Sequence, residues 1–135
     1  MDYRLWALLS ALFAGMTAVL AKKGVESVSP NTALAVRTLV IAAITVGIVL
    51  VTKGNRVPTR SEFGWLALSG LATGASWLCY FRALKAGPVA KVAPIDKLSF
   101  AIAMILGFVF LKERPGANVW VGALIIAIGV LVTLK

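Results

Sequence analysis

Five apolar stretches follow one another along this 135-residue chain, with only short polar connections between them. Each is about 18–23 residues long, and a helix needs roughly 20 apolar residues to cross a ~30 Å hydrocarbon core. The hydrophobic fraction of 60% also exceeds the ~45–50% of a soluble domain. The pattern predicts an all-α integral membrane protein with five transmembrane helices, in which consecutive helices are antiparallel neighbours. The predicted spans are residues 3–21, 30–51, 62–84, 89–111 and 117–134.

Local signals fix several of the predicted helix ends. Ser29 is a good N-cap and Pro30 a good first residue for the second helix. Thr59 and Glu62 have the spacing of a capping box at the start of the third. Gly24 follows two lysines and suits the left-handed cap that ends many helices. We therefore expect the first helix to end near this glycine.

Composition excludes several classes of function. The net charge is +9, but the basic residues are scattered between apolar spans, so a nucleic-acid-binding face is excluded. Bases at the ends of spans are what anionic lipid headgroups favour. The chain has no His and a single cysteine, Cys79, and it lacks a GxxxxGK[ST] phosphate loop. We expect no enzyme, no metal, no other cofactor and no ATP drive from this chain.

The basic residues at the two ends of the spans are evenly divided. With five spans the termini lie on opposite sides, and each side carries six Lys or Arg when Arg37 and Lys97, deep inside spans, are left out. The N-terminal side carries Arg4, Lys53, Arg56, Arg60, Lys112 and Arg114. The opposite side carries Lys22, Lys23, Arg82, Lys85, Lys91 and Lys135. Because orientation follows the Lys and Arg bias, this balance predicts dual topology, unless one loop alone decides orientation.

Charged residues also lie inside the predicted spans. The fourth span contains Pro94, Asp96 and Lys97, and the second contains Arg37. Arg37 is about 10 Å from the start of its helix at 1.5 Å per residue. Ionisable residues at such depth are costly and mark substrate or ion pathways. Pro94 removes a helical hydrogen bond and predicts a kink where a cavity would tolerate it.

Two interpretations of these charges are open. Asp96 could pair with Arg37 or Lys97 and hold the bundle together, or the same groups could line a cavity that binds substrate or carries a proton. Trp77 and Tyr80 lie seven and four residues before the end of the third span, on the side of the membrane where the second and fourth spans begin. They fit either an interfacial aromatic belt or that cavity. If their helices face one another, all five side chains converge at similar depth.

Small residues recur along three spans and predict close helix packing. Within one subunit they would let helices approach; at a subunit interface or a cavity they would serve equally well. The glycines concerned are Gly15 in the first span, Gly70 and Gly74 in the third, and Gly122 and Gly129 in the fifth.

Several short runs, taken in order, resemble the EamA domain of the drug/metabolite transporter superfamily. They are LSALFAG (9–15), AKKG (21–24), AVRT (35–38), YFRALKAG (80–87), VAP (92–94) and LKER (111–114). The resemblance covers essentially the whole chain, so residues 1–135 are expected to form one five-helix domain. Proteins of this family commonly carry two such repeats in inverted orientation, ten helices in all. This chain looks like a single repeat, one half of that architecture.

The resemblance implies a secondary transporter of small polar solutes or metabolites in the cell membrane of a prokaryote. A homodimer would restore ten helices and work by alternating access. It would be antiparallel if the even charge balance lets the chain insert in both orientations. Its pathway would be built from Arg37, Trp77, Tyr80, Asp96 and Lys97, and their net charge favours an anionic or zwitterionic solute. The alternatives are a non-transporting membrane subunit and a lipid-carrier flippase subunit, each of which needs a partner.

Overall fold

The computed structural model describes residues 2–53 and 56–134, and every regular element in those ranges is a helix. The chain divides into two compact units, residues 1–86 and 87–135. The first holds α1 (Tyr3–Val25), α2 (Pro30–Val51) and α3 (Arg60–Ala86); the second holds α4 (Val89–Asp96), α5 (Leu98–Phe110) and α6 (Ala117–Thr133). The all-α class is confirmed, with the fourth predicted span divided between α4 and α5. Lys135, one of the residues in the charge balance, lies outside the described residues.

Most large apolar side chains lie on the outside of these helices. Leu50 and Val51, for example, are 79% and 84% exposed. In water such a surface would be an aggregation hazard, whereas lipid tails are as apolar as leucine. Three helical segments are long and apolar enough to cross a membrane: Tyr3–Val25, Pro30–Val51 and Val89–Phe110. The buried apolar residues of the described ranges are Ala18, Val25, Phe81, Leu84, Ala123 and Val130.

The third and fifth predicted spans differ from these three. Helix α3 is the longest, at 27 residues, but its apolar surface is interrupted by hydroxyl side chains such as Ser69, Thr73 and Ser76. Helix α6 is apolar but has 17 residues, which gives about 26 Å at 1.5 Å per residue. Local thinning of the bilayer accommodates a mismatch of this size.

Helix α1 continues beyond its predicted end at Ala21 and stops at Val25. The expectation that Gly24 ends the helix in a left-handed conformation is wrong, because Gly24 is helical and has no positive φ. A side chain from α3 serves the last carbonyl groups instead. Lys85 Nζ donates to the carbonyl oxygens of Val25 at 2.7 Å and Glu26 at 2.8 Å. A helix whose terminal carbonyls have such a partner does not need a glycine cap.

The predicted N-terminal caps of α2 and α3 are both present. Ser29 Oγ accepts the Thr32 N–H at 3.1 Å, directly before Pro30 at the start of α2. Before α3, Glu62 Oε2 accepts the Thr59 N–H at 2.9 Å and Thr59 Oγ1 accepts the Glu62 N–H at 3.4 Å. These side chains satisfy backbone groups that have no partner within the helix.

The fourth span is broken at Lys97, which joins α4 to α5. There the Lys97 N–H donates to the Pro94 carbonyl at 3.0 Å, and the Phe100 N–H donates to the Lys97 carbonyl at 3.1 Å. Both bonds span three residues rather than four, the tighter pattern of a 3₁₀ turn. Pro94 itself lies inside α4, where its ring leaves the Ala90 carbonyl without its helical donor.

The loop after α5 turns back on that helix through a left-handed residue. Lys112 has φ 56°, and the N–H groups of Leu111 and Glu113 both donate to the Gly107 carbonyl, at 3.1 and 3.3 Å. A Cβ at Gly107 would lie 3.0 Å from Glu113 Oε2. Glycine at this position therefore leaves room for the returning chain.

We expect Lys112→Gly to stabilise the protein by about 0.5–1 kcal/mol, because an L-residue in the left-handed region costs ~1–2 kcal/mol and the greater unfolded-state entropy of glycine offsets part of that gain. The measurement is denaturation in mixed micelles followed by circular dichroism. Lys112→Ala is the control, since it removes the charge and keeps the strain. Equal stability of the glycine and alanine variants would contradict the prediction.

Candidate functional site

Two lysines join the ends of α1 and α3, and each serves the other helix. Lys22 Nζ, on α1, donates to the Leu84 carbonyl of α3 at 2.7 Å. Lys85, on α3, donates to the carbonyls of Val25 and Glu26 as described above. Val25 and Leu84 are fully buried between these lysines. The ammonium groups also complement the negative ends of both helices. These hydrogen bonds between the two helices fix the position of α3 along α1.

Arg37 on α2 lies over two aromatic rings of α3. Its Cζ is 4.0 Å from the ring centroid of Trp77 and 5.7 Å from that of Phe81. Trp77 and Phe81 are four residues apart, so they share a face of α3. Phe81 is 2% exposed, while Arg37 and Trp77 are half-buried. A cation at this distance from an aromatic face gains about 0.5–2 kcal/mol.

Among the described residues of the first unit, no carboxylate forms an ion pair with Arg37. A charge at the centre of a spanning helix costs at least about 2.5–3.5 kcal/mol on insertion scales. The cation–π contacts offset only part of that cost. The guanidinium also keeps N–H donors at its edges, which an aromatic face does not satisfy. As far as the first unit is described, the site is therefore suited to an anion.

A cavity of about 300 Å³ opens beside Arg37 within the first unit. All three helices of the unit contribute to it, and its wall is apolar apart from the guanidinium. The lining residues are Leu20, Ala21, Gly24, Val28, Ala33, Val36, Arg37 and Phe81. The arrangement places one positive charge at the edge of an open apolar cavity, whose lining includes exposed side chains such as Leu20 and Val36.

The remaining predicted pathway residues lie on α3 and at the break in the fourth span. Tyr80 is half-buried on α3, next to Phe81 in sequence. In the second unit, Lys97 Nζ is 3.6 Å from Asp96 Oδ2, and the Asp96 side chain is 37% exposed. The structure thus brings Arg37 to Trp77 in one unit and Asp96 to Lys97 in the other.

The predicted packing glycines have open space beside them. A Cβ at any of the five would meet no atom of its own unit within 4 Å. Their packing role stays a prediction that concerns contacts outside that unit. The glycines are Gly15, Gly70, Gly74, Gly122 and Gly129. Helices α5 and α6 instead meet through Phe108 and Trp120, whose ring centroids are 5.9 Å apart in an edge-to-face pair.

Sequence reasoning missed Phe81 and the crossed lysines. The spacing of Phe81, one turn after Trp77, was a usable signal because residues four apart share a helix face. No local pattern pairs Lys22 with Leu84, which lies 62 residues away. In the part of the chain that the structure describes, no three His, Cys, Asp or Glu side chains come together as metal ligands.

The comparisons with known proteins agree with this membrane architecture. The model of the EamA-like transporter family matches residues 3–135. A Sinorhizobium protein named "Uncharacterized transporter in cobO 3'region" is 48% identical over 134 residues, which cover 96% of this chain and 94% of that protein. A riboflavin transporter of Rhizobium johnstonii is 28% identical over 118 residues, which cover 87% of this chain and 39% of that protein. No solved structure matches the chain significantly.

The family match extends over all six helices, and their exposed apolar surfaces fit a membrane transporter. It points to transport rather than catalysis. The chain belongs to the EamA-like transporter family.

Proposed function

We propose that this chain is a secondary transporter of small polar solutes in a bacterial inner membrane, and that it works as an antiparallel homodimer by alternating access. The observation that carries the proposal is the family match over residues 3–135 in a chain of five spans. The same region corresponds to 39% of the riboflavin transporter. A second copy would supply the helices that a larger relative carries in one chain.

The even division of basic residues supports the antiparallel arrangement. Six lysines and arginines lie on each predicted side, so neither orientation is favoured at insertion. Two chains inserted in opposite senses would give the inverted pair of five-helix domains that alternating access uses. Each domain would correspond to residues 1–135.

The proposed pathway groups are the charged and aromatic side chains within spans. Arg37, Trp77 and Tyr80 belong to the first unit, and Asp96 and Lys97 belong to the second. The break at Lys97 supports this assignment, because irregular backbone at membrane depth is tolerated where it lines a cavity or is buried in protein. The unmatched charge of Arg37 supports an anionic or zwitterionic solute.

We expect reporters fused to the C-terminus to be active on both sides of the membrane. One reporter should fluoresce only in the cytoplasm and the other should be active only in the periplasm, each measured in the same strain at matched expression. Comparable signal from both supports dual topology. Signal from one side alone contradicts the antiparallel homodimer. A fusion with two added lysines in the connection at residues 53–59 is the control, and it should shift the signal to one side.

Transport itself is tested with the purified chain in liposomes. Riboflavin is the first solute to assay, because one relative is named for it, followed by amino acids and small carboxylates. Solute-dependent uptake by the chain alone supports the proposal. Purification with a stoichiometric second protein, and no uptake without it, contradicts a homodimeric carrier and favours a subunit that needs a partner.

A further inference from the structure

We propose that Arg37 and the cavity beside it form a binding site for a small organic monoanion, a carboxylate attached to an aliphatic or aromatic body. This inference rests on the proposed function and deepens it by naming the class of solute. The Arg37 guanidinium would bind the carboxylate, and the apolar wall would take up the body.

The guanidinium is held in place but its charge is not matched. Trp77 lies 4.0 Å from Cζ and Phe81 lies 5.7 Å away, so two rings of α3 orient the side chain. Cation–π contact uses the face of the guanidinium, while hydrogen bonds to a carboxylate use its edge. Among the described residues of the first unit, no Asp or Glu occupies that edge as an ion pair. A bound carboxylate would satisfy both the charge and the fork of donors.

The rest of the cavity selects for an apolar body. Apart from Arg37, its lining consists of alkyl and aromatic side chains and one glycine, contributed by α1, α2, α3 and the connection after α1. No acidic residue lines it, so an ammonium group would find no carboxylate partner among the lining residues. A monoanion is therefore preferred over a zwitterion such as an amino acid.

The volume favours a free solute over a membrane lipid. About 300 Å³ is at the lower end of the ~300–1,000 Å³ of ligand pockets, which suits a compact molecule. A phospholipid with two acyl chains is far larger than this space. The occupant is therefore a solute whose apolar part is of the order of one aromatic ring with a short chain.

Three matched probes test the assignment on the intact chain in phosphatidylcholine nanodiscs. They are 3-phenylpropionate, its neutral amide and the zwitterion phenylalanine, each measured by equilibrium dialysis against empty nanodiscs. We expect 3-phenylpropionate to bind at least about 10-fold more tightly than either of the others, since a charge-assisted bidentate contact exceeds a neutral one. Equal binding of the acid and its amide would overturn the proposal.

Variants locate the site. Arg37→Gln should abolish the preference for the acid, whereas Arg82→Gln, which removes an exposed arginine of α3, should leave it unchanged. If Arg37→Gln loses its helical circular dichroism, Gly24→Leu decides instead. A Cβ at Gly24 meets nothing within 4 Å and Gly24 lines the cavity, so we expect the leucine side chain to occupy part of it. It should weaken binding of all three probes by about 10-fold or more. Undiminished binding of 3-phenylpropionate to Gly24→Leu would overturn the assignment.

Two further experiments distinguish this inference from lipid binding and from the proposed transport. The first repeats the binding measurement in nanodiscs that contain phosphatidylglycerol, at the same ionic strength. If the wild type loses its preference for the acid there, while Arg82→Gln keeps the preference in nanodiscs without that lipid, Arg37 binds a lipid headgroup. That result would overturn the solute proposal. Binding of the acid without its uptake into liposomes supports this site and contradicts only the proposed transport. Uptake of riboflavin or another solute without any preference for the acid contradicts only this site.

Discussion

Lys85→Met is expected to lower the free energy of unfolding by about 2–3 kcal/mol, because hydrogen bonds to charged groups contribute ~1.5–3 kcal/mol and orphaned carbonyls add a desolvation cost. Lys85 Nζ donates to the carbonyls of Val25, Glu26 and Val28, at 2.7, 2.8 and 3.3 Å. Methionine keeps an unbranched stem of similar length and removes only the ammonium. The measurement is denaturation in mixed micelles, followed by helical circular dichroism.

Lys23→Met is the matched control for this experiment. It removes one positive charge on the same predicted side, so any effect through insertion or topology is shared. Lys23 contacts Glu26 at 2.9 Å, but both side chains are exposed, and such pairs contribute little. The ammonium of Lys23, which donates a hydrogen bond to the Glu26 carboxylate, lowers the pKa of that carboxyl. Equal losses in Lys85→Met and Lys23→Met would contradict the capping role.

The crossed lysines also predict coupling between two sites. Lys22 of α1 donates to a carbonyl of α3, and Lys85 of α3 donates to a carbonyl of α1. Each hydrogen bond therefore helps to position the helix that carries the other lysine. Residues that share one contact region usually show interaction energies of about 0.5–3 kcal/mol in a double-mutant cycle. We expect the loss in the double variant Lys22→Met, Lys85→Met to differ from the sum of the single losses by at least the lower figure.

The end of α1 shows why sequence pattern predicts an element better than its boundary. The apolar run identified the helix, and Ser29 and Glu62 identified two caps, because these signals act over three or four residues. Gly24 carried the same kind of local signal and did not end the helix. The partner that serves the α1 carbonyls, Lys85, lies 60 residues from Val25, and local spacing contains no record of it.

In the candidate site, too, local pattern predicted some features and contacts between helices decided the others. The depth of Arg37 and of Trp77 in their spans could be counted from the sequence, since helical rise is constant. Which rings the guanidinium meets depends on helix rotation, and the structure adds Phe81 through its place on the face of Trp77. Pro94 predicted an irregularity in the fourth span, but the break lies at Lys97, three residues after it, and Pro94 itself lies inside α4. The open space beside the predicted packing glycines depends on neighbours that pattern alone does not reveal.

Asp96→Asn is expected to reduce transport by roughly 100-fold or more while leaving the fold intact, because losing one partner of a desolvated charged contact costs about 2–5 kcal/mol. Asparagine keeps the shape of the side chain and removes its charge and its capacity to carry a proton. The ion pair with Lys97 joins sequence neighbours at 3.6 Å, with side chains 37% and 58% exposed. Such a pair adds only ~0–1 kcal/mol to stability, so helix content and assembly should be unchanged. Initial rates of uptake into liposomes measure the effect.

Glu113→Gln is the control, since it neutralises another carboxylate of the second unit, in the loop after α5 and outside the predicted pathway. It should retain most of the transport rate. If Asp96→Asn unfolds or loses its oligomeric state, the carboxylate is part of a structural pair and the pathway assignment is wrong. If it transports like the wild type, neither interpretation of the Asp96 charge holds. Loss of transport in Asp96→Asn, with recovery in Asp96→Glu, would show that a carboxylate at the break in the fourth span carries the charge that transport requires.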